Sequence, residues 1–113
     1  MIQHVVLMKF KADVTPEQID ELERLLDDLP NVIVEIQAYE FGRDIVRSER
    51  SYDFALVSLF ANLDTLRRYQ QHPDHLVVLN LLKAICADIS AVDFELQPPG
   101  KIEEDLTQLL RRG

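Results

Sequence analysis

Ile2-Gln3-His4-Val5-Val6-Leu7-Met8-Lys9-Phe10-Lys11 places Ile2, His4, Val6, Met8 and Phe10 on one face and Gln3, Val5, Leu7 and Lys9 on the other, the period-two pattern of a strand. Both faces carry apolar side chains, so both ask to be covered. Val14-Thr15-Pro16-Glu17-Gln18-Ile19 follows as a helix start. Thr15 is the N-cap, Pro16 sits in the first turn, Gln18 closes a capping box, and Val14 packs on Ile19 as a hydrophobic staple. Ile19, Leu22, Leu25, Leu26 and Leu29 then recur at helical spacing against a charged remainder. Pro30-Asn31 is expected to end this helix.

Outward from there, Val32 to Phe41 is β-branched and aromatic-rich and reads as a second strand, closed at Gly42 by a turn or bulge. Arg43 to Ser51 is polar and aperiodic, an exposed loop. Tyr52 to Ala61 alternates again, apolar on both sides, and makes a third strand. Asn62 caps a short helix bearing Leu63, Leu66 and Tyr69, and Pro73 disfavours helical geometry at His72, which breaks the chain there. In the helix that follows, Leu79, Leu82 and Cys86 stand four, seven and eleven residues after His75, so His75 begins the buried stripe. Ile89 to Leu96 is the last strand, with Val92, Phe94 and Leu96 on one side.

Strand, helix, strand, strand, helix, strand is the α+β, ferredoxin-like βαββαβ order: an antiparallel sheet with its helices on one face. The opposite face is left open and apolar. Burying it at roughly 25 cal/mol per Å² favours a second sheet against it, and the nearest source of one is an identical subunit. The expected assembly is a homodimer through the open sheet face, a dimeric α/β barrel. Residues 1–97 make this domain. Pro98-Pro99-Gly100 then breaks the chain, and residues 98–113 read as an extra C-terminal amphipathic helix carrying Ile102, Leu106, Leu109 and Leu110, expected to dock on the second subunit or the outer barrel wall.

The 113 residues suit one domain, and a hydrophobic share of 47% with 28% charged residues is that of a folded protein. Twelve basic against 20 acidic side chains give a formal charge of −8, which argues against nucleic acid or an anionic membrane surface as partner. The first segment has no charged, long-apolar leader pattern, so the expected location is cytoplasmic. The lone Cys86 forms no internal disulfide and supplies no thiolate zinc set. No glycine-rich loop or nucleotide fingerprint occurs, and no cofactor is expected.

Three residues are candidates for chemistry: His4, Tyr69 and His75. A strand lying under a helix can bring both histidines into one cavity, and imidazole is the natural acid or base near neutral pH. Tyr69 lies six residues before His75, close enough for its hydroxyl to orient the ring. The alternatives are core histidines bonded to backbone carbonyls, or a pocket lining without catalysis. His72-Pro73-Asp74-His75 does not present its histidines as a metal-binding helix pair, because the proline interrupts the helix. Asp88 and Asp93 lack the spacing of paired catalytic carboxylates, while Cys86, Tyr39, Phe41, Phe54 and Phe60 read as core.

Taken together, His4 through Lys11, Asp53-Phe54-Ala55-Leu56-Val57 through Phe60, Tyr69-Gln70-Gln71-His72-Pro73-Asp74-His75 and Val92-Asp93-Phe94-Glu95 resemble the stress-responsive dimeric α/β-barrel (Dabb) family over about residues 2–97. Many members of that family have no assigned reaction, and one is a plant polyketide cyclase. The resemblance implies a homodimer with a small apolar or carbonyl-containing ligand, or else cofactor-independent cyclase or lyase chemistry of the aldol type. In the latter case His75 would be the base, Tyr69 its support, and His4 a wall of the same cavity. A further tyrosine that the cyclase carries on its first helix has no counterpart here, since Leu25 and Leu26 occupy that region.

Overall fold

The computed structural model describes residues 1–97 and 108–110. Its elements are β1 (Ile2–Phe10), α1 (Pro16–Val32), β2 (Ala38–Arg43), β3 (Phe54–Phe60), α2 (Leu63–Gln71), α3 (Pro73–Ile85) and β4 (Cys86–Glu95). The four strands form one sheet in the order β2-β3-β1-β4, and every neighbouring pair is antiparallel. This is the ferredoxin-like arrangement, with the second helical segment divided at His72-Pro73.

Local chemistry accounts for most boundaries. The Thr15 hydroxyl accepts from the Gln18 N–H at 3.2 Å, and the Gln18 side chain accepts from the Thr15 N–H at 3.0 Å, which completes the capping box. Asn62 and Thr65 make the same reciprocal cap for α2. His72 both ends α2 and caps α3, its Nδ1 accepting from the Asp74 N–H at 3.1 Å.

Three expectations need correction. Helix α1 does not stop at Pro30 but runs through it to Val32, closed by the Ile33 N–H on the Leu29 carbonyl at 2.9 Å. The buried stripe Leu22, Leu26, Leu29 and Ile33 holds the last turn against the cost of one missing N–H. The chain from Val32 to Gln37 is therefore helix end and turn, and β2 starts only at Ala38, with Gly42 inside the strand opposite Ala55. Finally, β4 starts at Cys86, directly after α3, because Cys86 pairs with Phe10 and the sheet takes over from the helix. Cys86 is consequently not part of the α3 stripe. Of the expected C-terminal helix, residues 108–110 are helical with Leu109 and Leu110 exposed; the remainder, and its docking, lie outside the described residues.

The core lies between the sheet and the helices. Val6 and Met8 from β1 and Phe54, Leu56 and Phe60 from β3 meet Leu22, Leu26, Leu66, Tyr69, Val78, Leu82 and Ile85. The opposite sheet face carries Val5, Leu7, Val57, Leu59, Val92 and Phe94, paired in register across three strands. Among the described residues no helix covers it: Val92 is 56% exposed and Phe94 47%. Among the described residues, no helix is long and apolar enough to cross a membrane.

Candidate functional site

A cavity of about 240 Å³ opens between the helix-facing side of the sheet and α3. Val6, Met8, Leu56, Ile89 and Ala91 form its sheet wall, and Leu26, Val78, Leu79 and Leu82 its helical wall. Its polar groups come from His4, Gln70 and His75. His4 points inward because it shares a face with Val6 and Met8 on β1, and His75 because it stands in the first turn of α3, ahead of Val78 and Leu82 on the buried stripe.

The two imidazoles are held differently. At His75, Nδ1–H donates to the backbone carbonyl of Gln70 at 3.1 Å. A carbonyl can only accept, so the proton sits on Nδ1 and Nε2 keeps its lone pair. Burial lowers the His75 pKa, with the nearby His4 and His72 acting in the same direction and the Gln70 carbonyl opposing, so the ring is neutral at pH 7. At His4, Nδ1–H donates to the carboxylate of Asp93, which lies directly opposite it on β4. The carboxylate fixes the ring: in the neutral imidazole Nε2 carries the lone pair, and only as the imidazolium, paired with Asp93, does His4 also donate from Nε2–H.

Tyr69 is brought next to both. Its ring centroid lies 4.3 Å from that of His75 and 6.2 Å from that of His4. It is wholly buried behind the histidines, outside the cavity lining. Its hydroxyl does not orient His75 as the sequence suggested; it pairs with the Tyr39 hydroxyl at 2.8 Å, and the Gln70 carbonyl sets the imidazole instead. Desolvation pushes the Tyr69 phenol up to about 12, and that of Tyr39 higher still, so both stay protonated.

Three residues of this constellation are not singled out by the sequence: Gln70, whose backbone carbonyl sets His75, Asp93 and Tyr39. Asp93 was weighed only as half of a carboxylate pair, and Tyr39 only as core. A signal for Asp93 did exist: with Val92 and Phe94 on the open face, Asp93 must face the helices, on the same side as His4. Cys86 is half-buried, and its thiol is raised to about 11 chiefly by burial, which leaves it unsuited to nucleophilic work. Among the described residues, no three His, Cys, Asp or Glu side chains converge as a metal-binding set.

Comparison with known proteins agrees with this fold. Residues 2–96 match the stress responsive A/B barrel domain (Dabb) family. The chain is 27% identical over 96 residues to the stress-response A/B barrel domain-containing protein HS1 of Arabidopsis thaliana, covering 83% of this chain and 88% of that protein. It is 26% identical over 76 residues to olivetolic acid cyclase of Cannabis sativa, covering 66% and 75%. Among solved structures, a dimeric ferredoxin-like protein of unknown function from Thermobifida fusca is 38% identical with a TM-score of 0.78, covering 84% of this chain and 90% of that one. The dimeric state of that relative supports self-association of this chain. With fold and sequence in agreement over residues 2–96, the chain belongs to the stress responsive A/B barrel domain family.

Proposed function

We propose that this protein is a self-associating domain whose helix-side cavity binds a small, mostly apolar molecule bearing a carbonyl group. One observation carries the reading: two differently held imidazoles sit in a cavity whose other walls are almost entirely aliphatic. An apolar cavity of about 150 Å³ accommodates benzene, so one of about 240 Å³ suits a ligand of roughly ten non-hydrogen atoms. Titration with 2-heptanone tests this. It should shift the ring resonances of His4 and His75 in the NMR spectrum, and the parent alkane should bind more weakly. Equal binding of ketone and alkane would leave the histidines without a role.

A second reading, acid–base chemistry next to the carbonyl, is favoured by the free lone pair on a neutral His75. His75 Nε2 takes a proton from the carbon α to the carbonyl, and the charge developing on oxygen is met by Nε2–H of His4 in its imidazolium form, paired through Nδ1–H with Asp93. The resulting carbanion equivalent is the nucleophile of aldol-type closure, the reaction class of a cyclase or lyase. Because the step is proton abstraction, it can be followed without knowing the substrate, as exchange of α-hydrogens of 2-heptanone in deuterated water. His75→Gln, folded by circular dichroism, should lower the rate at least roughly 100-fold. Exchange at the wild-type rate would remove His75 as base.

A further inference from the structure

The segment between β2 and β3, residues 44–53, is a braced loop. The Asp44 N–H donates to the Asp53 carbonyl at 2.9 Å, the Arg47 N–H donates to the Asp44 carboxylate at 2.7 Å, and the Arg47 guanidinium pairs with Asp53 at 2.8 Å. The Ser48 and Ser51 hydroxyls are 2.8 Å apart. Arg47 adopts φ +56°, a left-handed conformation costly for a residue with a Cβ. What this bracing presents is Ile45 and Val46, 91% and 73% exposed, two adjacent aliphatic side chains held out in water.

We propose that Ile45 and Val46 form a clasp that packs on the β4 end of a second copy of this chain, an inference that rests on the self-association reading above. Continuity with the open face is the first argument. A recess of about 210 Å³ joins the loop residues Arg50 and Tyr52 to Leu7 and Ala55, so the loop wall and the uncovered face are one surface. Sheet order is the second. When two open faces stack about a two-fold axis running along the strands, β2 of one copy lies beside β4 of the other, at the same end of the strands. The loop stands at the end where Met8 pairs with Phe54 and Ile89, which is where β4 begins. Charge is the third. The loop carries Arg50, which makes no ion pair among the described residues, and Asp88 is an exposed carboxylate at the start of β4, the end on which the clasp would sit. Setting Arg50 against Asp88 of the other copy is a favourable pairing across the interface.

Sedimentation equilibrium on the full chain tests the clasp. The wild type should be dimeric, and the double variant Ile45→Asp, Val46→Asp, folded by circular dichroism, should raise the dimer dissociation constant at least roughly 100-fold. Arg50→Glu should weaken the dimer by a smaller factor, about 10-fold. Leu63→Asp, exposed on the helical side, should leave it unchanged. If the double variant dimerises like wild type while Val57→Asp on the sheet face disrupts the dimer, the clasp is overturned and the dimer stands. A monomeric wild type would instead overturn the self-association reading, and the clasp with it.

Discussion

His75 is buried in its neutral form, and that burial has a cost on the acid side. Its folded-state pKa lies below the unfolded value, so the unfolded chain takes up the proton first as pH falls. The sign follows directly: its contribution to stability is intact above about pH 6.5 and is lost as pH drops below that value toward the folded-state pKa. Urea unfolding at about pH 7.5 and about pH 5.5 should therefore show the wild type losing more stability than His75→Gln, which cannot titrate. An equal loss in both proteins would mean that the imidazole is not desolvated. Around it, His4 was legible as an inward-facing residue from strand alternation alone. Its Asp93 partner was not, because the two are 89 positions apart and meet only through the β1–β4 register.

Elements follow their local signals wherever these are unopposed. The Thr15 cap, the Asn62 cap and the His72-Pro73 break all stand where the residues call for them, since each is decided within four neighbouring positions. Thr15→Ala should cost about 1 kcal/mol, read as a lower urea midpoint at unchanged slope. Pro30 is the opposite case, a local stop signal overridden by packing. The buried Leu29 and Ile33 hold helical geometry around it, although Pro30 can donate no N–H. Pro30→Ala should therefore stabilise the fold, by about 1 kcal/mol, by restoring a hydrogen bond within the last turn. A destabilised Pro30→Ala protein would show that the proline shapes the exit into β2. The mistaken start of the second strand has the same origin: Val32 to Ile36 has the composition of a strand, but α1 and its closing turn had already claimed those residues.

For the whole molecule, the uncovered face of the sheet is the dominant fact. Val5, Leu7, Val57, Leu59, Val92 and Phe94 would be an unusual thing to leave in water, and the dimeric state of the Thermobifida fusca relative supports self-association. If folding and association are coupled in this way, the melting temperature should rise with protein concentration over about a 100-fold range, and Val57→Asp should abolish that rise. A melting temperature independent of concentration in the wild type would dissociate the open face from assembly.

Element order, helix caps, the inward set of His4 and His75 and the two-sided character of the sheet could all be read from residue order, because they depend on periodicity and on contacts a few positions apart. Which groups hold those histidines could not. Asp93 behind His4, the Gln70 carbonyl behind His75, and Tyr39 rather than His75 as the partner of the Tyr69 hydroxyl all depend on strand register and on the fit of α3 over the sheet, and an unsatisfied buried donor donates to whichever oxygen the packing puts within reach.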